Sequence, residues 1–274
     1  MVYSVYLIKE KKMDTSLSSQ DLKKKIDGYL ETLMLETDIA RKSDAMQKYL
    51  EFAARFHQYS PYNIMLILLS KPEASNVAGF QSWKKMNRYV KKGEHGIPIF
   101  APLLHKENSE KEDSPLVLNG FRIVYVFDVS QTDGEPLRPA PDWKSPEKNA
   151  ELTEKLIRFA ECKGIRVSFK DLSGETQGIS YGSEIEIDNS AGFKTLVHEI
   201  AHSLLHFNSV DTLSREIKEL QAEASALIVA RHFGIEDLHS ANYIALFGLD
   251  SKDVLDNIGV IQKTATEIIQ SIEK

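Results

Sequence analysis

Apolar residues at three- to four-residue spacing predict helices in the first part of the chain. Leu22 and Ile26 follow this period within residues 19–58, a stretch rich in helix-favouring residues. Pro61, preceded by a serine, stands where the first helical residue follows an N-cap. A short apolar helix is therefore expected over residues 62–70.

The pattern changes to short strands in the middle of the chain. Strand-like runs lie at residues 97–103 and 121–129, and a polar, charged stretch separates them. Residues 133–148 contain four prolines and no periodic pattern, which predicts an interdomain linker at residues 136–147. The first predicted domain therefore spans residues 14–135.

A second domain is predicted at residues 148–274. It begins with a helix up to Gly164, continues with short strands at residues 165–169, 179–181 and 184–188, and is mainly helical after them. Helices combined with a small sheet in this order are typical of an α+β fold. The chain is thus predicted to be an α+β protein with two domains, and the first domain is of mixed α/β type.

Composition fits a globular protein in a reducing compartment. Of the 274 residues, 42% are hydrophobic and 27% are charged, which is ordinary for a soluble domain. Cys162 is the only cysteine, which excludes a disulfide framework and favours the cytoplasm. The apolar run Ile64–Leu69 is too short to span a bilayer. The net charge of −6 divides into +1 for residues 1–135 and −7 for residues 136–274, which indicates two different surfaces.

The sequence HEIAH, which begins at His198, matches the pattern H-E-x-x-H. On a helix, His198 and His202 lie one turn apart on the same face, so both imidazoles can bind one zinc ion. Glu199 is then placed to act as general base on water. A core helix with hydrogen-bonded histidines would also carry this pattern. The apolar flank, with residues such as Leu196 and Ile200, predicts a buried helix and favours the metal site.

A third ligand must come from elsewhere, and the next helix, REIKELQAEASALIVARHFGI, supplies candidates. His206 is expected outside the ligand set, because it lies about 12 Å beyond His198 along the helix. Glu223 borders an apolar stripe, where a buried carboxylate is costly unless it binds a metal. Glu223 is therefore the predicted third ligand, and Glu219, one turn earlier, is the alternative. Two histidines, a glutamate and an open position are typical of a catalytic zinc.

Two further features concern a substrate. Ile185 and Ile187 alternate with acidic residues, which predicts a half-exposed strand at a sheet edge where a peptide can pair. Tyr181, His232 and Tyr243 are candidate donors to a developing oxyanion, although each residue type is more often used for packing.

The segments HEIAHSLLH and AEASALIVARHFG resemble the gluzincin-like metallopeptidases of the ImmA/IrrE and ArdC group. In that group a glutamate of the second helix completes the zinc site, and it matches Glu223. The resemblance covers about residues 148–235. It implies a zincin-like metallopeptidase domain with one zinc ion per chain, bound by His198, His202 and Glu223.

Residues 79–92 form a predicted helix with a basic face, and Gly93 would end it. Positive charge of this density suits phosphates, and nearby aromatic residues such as Tyr89 can stack on bases. A solvated face of an ordinary amphipathic helix explains the pattern equally well. The basic residues recur at helical spacing without an intervening acidic residue: Lys84, Lys85, Arg88, Lys91 and Lys92.

The run from Phe80 through VKKGE to IPIFAP, followed by YVFDVSQTDGEP, resembles the N-terminal domain of ArdC-type antirestriction proteins. That domain is associated with single-stranded DNA binding, so the resemblance implies single-stranded DNA as a partner. The DNA contacts that it implies are Trp83, Lys84, Lys85, Arg88, Lys91 and Lys92.

Two functions follow from these features. The first is a zinc-dependent metallopeptidase coupled to a single-stranded-DNA-binding module, with an antirestriction role on mobile or invading DNA and a protein substrate of unknown identity. The second is an antirestriction protein that acts by occupying single strands and whose zinc site is structural or idle. A nuclease is disfavoured, because nucleases usually use carboxylate-bound magnesium or paired metals.

Overall fold

The fold is described from a computed structural model, which shows a mixed α/β protein. Its described residues form three small sheets. Most of the predicted linker at residues 136–147 lies outside the described residues. The structure describes residues 18–35, 48–106, 116–137, 146–174, 176–207, 213–235 and 251–274.

Helices and strands alternate irregularly along the chain. The helices are α1 (Ser19–Leu35), α2 (residues 48–55), α3 (Pro61–Ser70), α4 (Phe80–Lys85), α5 (Pro146–Cys162), α6 (Phe193–His206), α7 (Arg215–His232) and α8 (Ser251–Ile272). The strands are β1 (Val77–Gly79), β2 (Arg88–Val90), β3 (Ile97–Lys106), β4 (Leu116–Asp128), β5 (Thr132–Gly134), β6 (Arg166–Lys170), β7 (Gly178–Ser180) and β8 (Glu184–Asp188). None of the helices described is long and apolar enough to cross a membrane.

The helix expected after Pro61 and the strands expected after the linker are present. The oxygen of Ser60 caps α3 by accepting a hydrogen bond from the backbone N–H of Asn63 at 3.4 Å. β3 and β4 form a long antiparallel pair with β1 on the outer side of β4. β2 and β5 form a separate antiparallel pair.

The chain divides into two compact units, and it passes between them after Tyr29, after Met65 and after Pro136. The first unit holds β1 to β5 with α4, and the second holds α5 to α8 with the third sheet. Residues 30–65 belong to the second unit. The first unit therefore differs from the predicted domain at residues 14–135, because it does not include residues 30–65.

Specific contacts attach α2 to the second unit. Arg231 of α7 lies 3.4 Å from the carboxylate of Glu51. The ring of His232 donates to the carbonyl of Ala54, with 2.9 Å between Nδ1 and O. These pairings join residues that are about 180 positions apart, which local sequence patterns cannot reveal.

The helix predicted over residues 79–92 is much shorter in the structure. α4 ends at Lys85, and Asn87 adopts a positive φ of 56°, which terminates the helix. Arg88 then begins β2 and pairs with Gly134 of β5. The prediction of one basic helical face is therefore wrong, because the pairing with β5 requires extended backbone.

The third sheet has the strand order β6-β8-β7. β8 pairs in parallel with β6 and antiparallel with β7, so it is the central strand. Ile185 and Ile187 of β8 are fully buried. The prediction of a sheet edge at these residues is wrong, because β6 and β7 occupy the two edges of the described sheet.

The core of the second unit lies between α6, α7 and α8. The alanines of α7, Ala222, Ala226 and Ala230, are buried, and their small side chains allow a close approach of neighbouring helices. Ile261 and Ile268 of α8 are also buried. The last helix therefore contributes to the core.

We expect the substitution Gly134→Ala to destabilise the first unit. An added Cβ would lie 2.2 Å from the carbonyl oxygen of Asn87, and φ of Gly134 is +134°. The expected loss is about 1–3 kcal/mol in the free energy of unfolding, measured by denaturant titration. Gly120→Ala is the control, because Gly120 has φ +114° but no atom within 4 Å of an added Cβ. Equal losses in both variants would show that the contact with Asn87 is unimportant.

Candidate metal centre

α6 carries the H-E-x-x-H residues into the interior of the second unit. Leu196, Val197 and Ile200 are almost completely buried and hold the helix in the core. His198 and Glu199 are each 8% exposed, so two of the three polar residues of the pattern are buried, and His202 is half-buried. Burial of these polar groups costs free energy unless each has a hydrogen-bonding or charged partner.

Three ligand atoms converge between α6 and α7. The Nε2 atoms of His198 and His202 are 3.0 Å apart. Oε2 of Glu219 lies 3.5 Å from Nε2 of His198 and 3.6 Å from Nε2 of His202. Zinc bonds to such atoms are about 2.0–2.2 Å long, so one cation fits among them after small movements. These residues can hold a metal ion.

Glu223, the predicted third ligand, does not join this set. Its Oε2 lies 3.1 Å from Nδ1 of His198, the ring nitrogen that faces away from Glu219 and His202. Its other oxygen accepts a hydrogen bond from the Lys194 ammonium at 2.5 Å. Glu223 is indeed buried, but Lys194 compensates its charge. The ligand atoms that converge in the structure are thus those of His198, His202 and Glu219, and Glu223 lies outside this group.

Glu223 and Lys194 orient the first histidine. A carboxylate that hydrogen-bonds the outer nitrogen of a metal-binding histidine selects its tautomer and makes the other nitrogen a better ligand. Lys194 lies one helical turn before His198 on α6, a spacing that was visible in the sequence. Nothing in a single sequence marks a lysine as the partner of a buried glutamate on another helix.

His206 lies beside the ligand set and outside it, as helix geometry predicts. Its Nδ1 is 3.1 Å from Nδ1 of His202, and its Nε2 is 3.0 Å from Oε1 of Gln221. Gln221 of α7 therefore holds His206, and His206 in turn contacts the second ligand.

The acidic partners determine the protonation of the site. Burial alone lowers the pKa of His198, but hydrogen bonds to Glu219 and Glu223 outweigh it and raise the pKa to about 9. Hydrogen bonds to His198 and His202 lower the pKa of Glu219. Burial raises the pKa of Glu223, but its bonds to His198 and Lys194 reverse this effect and leave the pKa lowered. A cation at the site competes with the proton on His198.

Glu199 borders a cavity of about 890 Å³ beside the candidate ligands. Burial raises its pKa, and the nearby histidines partly offset this increase. The backbone of Ser180 on β7 hydrogen-bonds the carboxylate. A Cβ on Gly178 would lie 2.7 Å from Cγ of Glu199, so a glycine is needed for this close approach of β7. The position fits a general base that faces the cavity.

Arg215 and Lys218 of α7 line the cavity, and the sequence did not indicate either of them. Tyr181, the first candidate oxyanion donor, follows β7 and also lines the cavity. His232, a second candidate oxyanion donor, lies elsewhere and bonds Ala54 and Glu273. Tyr243, the third candidate, lies outside the described residues.

The predicted DNA contacts have different environments in the first unit. Trp83 is 1% exposed, and its indole N–H donates to the carbonyl of Phe127 at 2.8 Å. Its ring offers no face to a base, so the expectation of a contact through Trp83 is wrong. Arg88 donates to Thr132 and to carbonyls of the β5 segment. Lys91 donates to the carbonyl of Ser130 at 3.1 Å.

The other three basic residues, Lys84, Lys85 and Lys92, are exposed. Tyr89 and Phe121 of the same unit are each 56% exposed, although aromatic residues of this size are usually buried. The alternation of residues in β2 and β4 does not show from the sequence that Tyr89 and Phe121 are exposed.

Residues 20–161 match the family model of the N-terminal domain of anti-restriction factor ArdC. This match covers more than half of the 274 residues. The chain belongs to the ArdC antirestriction family.

A curated relative and two solved structures are similar to the chain. An uncharacterized protein of Bacillus anthracis is 25% identical over 321 aligned positions, which cover 96% of this chain and 54% of that protein. The chain thus spans about half the length of the curated relative. Two crystal structures of the antirestriction ArdC protein from plasmid R388 are each 19% identical and cover 78% of this chain. The metal-free one has a TM-score of 0.44 over 83% of its chain, and the Mn(II)-bound one 0.46 over 84%.

We expect Glu219→Gln and Glu223→Gln to affect metal binding differently. Loss of a ligand in Glu219→Gln should lower the metal content by one ion per chain. Loss of an orienting carboxylate in Glu223→Gln should keep the stoichiometry and weaken the affinity about 10–100-fold. Zinc titration followed by calorimetry measures both effects, and Glu216→Gln on the exposed face of α7 is the control. The opposite pattern would restore Glu223 as the ligand.

Proposed function

We propose that the chain is a metal-dependent peptidase within the antirestriction family, with zinc as its metal. The observation that supports this proposal is the arrangement of His198, His202 and Glu219 around one point, with Glu199 beside the same cavity. Two imidazoles, one carboxylate and an accessible cavity are typical of catalytic zinc sites. The ImmA/IrrE resemblance of residues 148–235 points to the same class.

A divalent cation held there would polarise a carbonyl group and acidify a water molecule. The chain supplies the remaining chemistry. Glu199 accepts a proton from water and delivers it to the leaving amine, which is the usual pair of roles for one general acid–base. Its raised pKa brings it closer to the range in which it can both accept and release a proton.

The cavity suits an extended peptide. β7 is an edge strand of the described sheet and lines the cavity through Gly178, Ile179 and Ser180. An extended substrate can add to such an edge by main-chain hydrogen bonds. Tyr181 lies at the end of β7 and can donate to a developing oxyanion. Manganese is to be tested beside zinc, because a Mn(II)-bound structure exists for the R388 protein.

We expect Glu199→Gln to abolish proteolysis while metal binding stays intact. General acid–base groups contribute about 10²–10⁴-fold to rate, so cleavage of unfolded casein should fall by at least about 100-fold. Metal content, measured on the same preparation, should equal that of the wild type. Chelation should remove activity, and zinc or manganese should restore it. A Glu199→Gln preparation that cleaves as fast as the wild type would refute the mechanism.

We also propose that the first unit binds single-stranded DNA. The specific observation is that Lys84, Lys85 and Lys92 are exposed in the unit that exposes Tyr89 and Phe121. Lysines can neutralise phosphates, and aromatic rings can stack on bases without reading their sequence. If DNA binding alone protects against restriction, the metal site is not needed for that protection.

Changing Lys84, Lys85 and Lys92 together to Gln should weaken binding to an oligothymidine strand. The slope of log affinity against log salt should become shallower by about two, since each phosphate contact contributes about 0.7. Changing Lys23, Lys24 and Lys25 of α1 to Gln is the control with the same charge difference. Fluorescence anisotropy at several salt concentrations measures both. Identical effects of the two triple variants would assign the weakening to net charge.

A further inference from the structure

A second group of metal-ligand residues lies elsewhere in the second unit. His57 follows α2, His232 ends α7 and Glu273 follows α8. Each offers one nitrogen or carboxylate oxygen, and these atoms lie within 4.8 Å of one another. We refer to His57, His232 and Glu273 as the His57 cluster.

His232 is oriented in the way that metal-binding histidines are. Its Nδ1 donates to the carbonyl oxygen of Ala54 at 2.9 Å. A carbonyl can only accept, so Nδ1 carries a proton and Nε2 is the ring nitrogen that is left to bind a metal ion. This Nε2 lies 2.9 Å from Oε1 of Glu273. A backbone carbonyl at the outer nitrogen is a common support for a metal-binding imidazole.

His57 is not explained by an ordinary ion pair between His232 and Glu273. It is 5% exposed, and its Nδ1 is buried with no hydrogen-bond partner among the described residues. Burial of an unsatisfied ring nitrogen costs free energy. Its ring lies 4.7 Å from that of His232, the same separation as between His198 and His202.

The backbone at His57 is held in place by the last helix. Its carbonyl accepts hydrogen bonds from Nε2 of Gln262 at 3.0 Å and from Oγ1 of Thr266 at 2.7 Å. The position of the imidazole therefore depends on α8, which also leads to Glu273. The hydrogen bonds that position the His57 cluster are thus present in the fold without a metal ion.

We propose that the His57 cluster binds a second divalent transition-metal ion, distinct from the ion of the candidate metal centre. Two imidazoles and one carboxylate suit zinc best among the common ions. The side chain of Glu273 is 41% exposed, so water can supply a fourth ligand. The ion would fasten the turn after α2 and the end of α8 to the end of α7, which makes its role structural.

The test counts zinc on the full chain. The protein is stripped with a chelator, titrated with zinc and analysed for bound metal by mass spectrometry. The wild type should bind two ions per chain, Glu273→Gln one ion and Glu219→Gln one ion. The double variant should bind none. Glu267→Gln is the matched control, because Glu267 lies on α8, the helix that Glu273 follows, and its side chain is also 41% exposed. This variant should bind two ions.

A thermal readout supports the count. Added zinc should raise Tm of Glu219→Gln but leave Tm of the double variant unchanged, since only a ligand that binds the folded state stabilises it. Equal metal content in the wild type and Glu273→Gln would overturn the proposal. Failure of the peptidase site instead would leave one ion on the wild type and none on Glu273→Gln, so the two failures are distinguishable.

Discussion

The buried charges between α6 and α7 are the constraint on which the site depends. Lys194 and Glu223 are almost fully buried and form an ion pair. Loss of either partner would strongly destabilise the fold, because the other charge would be left buried without compensation. Glu223 also bonds His198 at Nδ1, so the opposite nitrogen points to His202 and Glu219. The alanine face of α7 lets the helices approach closely enough for these bonds. Packing and chemistry are therefore inseparable in this part of the protein.

Part of the basic segment of the first unit has a structural role. The guanidinium of Arg88 donates hydrogen bonds to Thr132 and to carbonyls of the β5 segment, and Trp83 is buried in the core. Residues that look like a nucleic-acid face in the sequence thus partly hold the fold together. Family membership rests on the match of residues 20–161, and the exposed lysines are the part of the basic segment that stays available for phosphate.

Several expectations succeeded because their signals are local. The helix after Pro61, the strands of the third sheet and the H-E-x-x-H helix all follow from short-range periodicity. Other expectations were wrong where pairing between distant segments determines the local structure. The helix over residues 79–92 ends early because Asn87 turns the chain into a strand that pairs with β5. Ile185 and Ile187 mark a central strand, since neighbours on both sides come from other segments.

The sequence by itself determined the H-E-x-x-H residues, the exclusion of His206 and the two carboxylates from which a third ligand could come, because these depend on the fixed rise of a helix. It placed Glu223 ahead of Glu219, which lies one turn earlier on the same helix, because a buried carboxylate needs a compensating partner. Only the tertiary structure shows their different partners, since Lys194 lies against Glu223 and the two histidines lie beside Glu219. It also assembled His57, His232 and Glu273, because contacts across more than 40 residues are formed by packing and leave no local pattern.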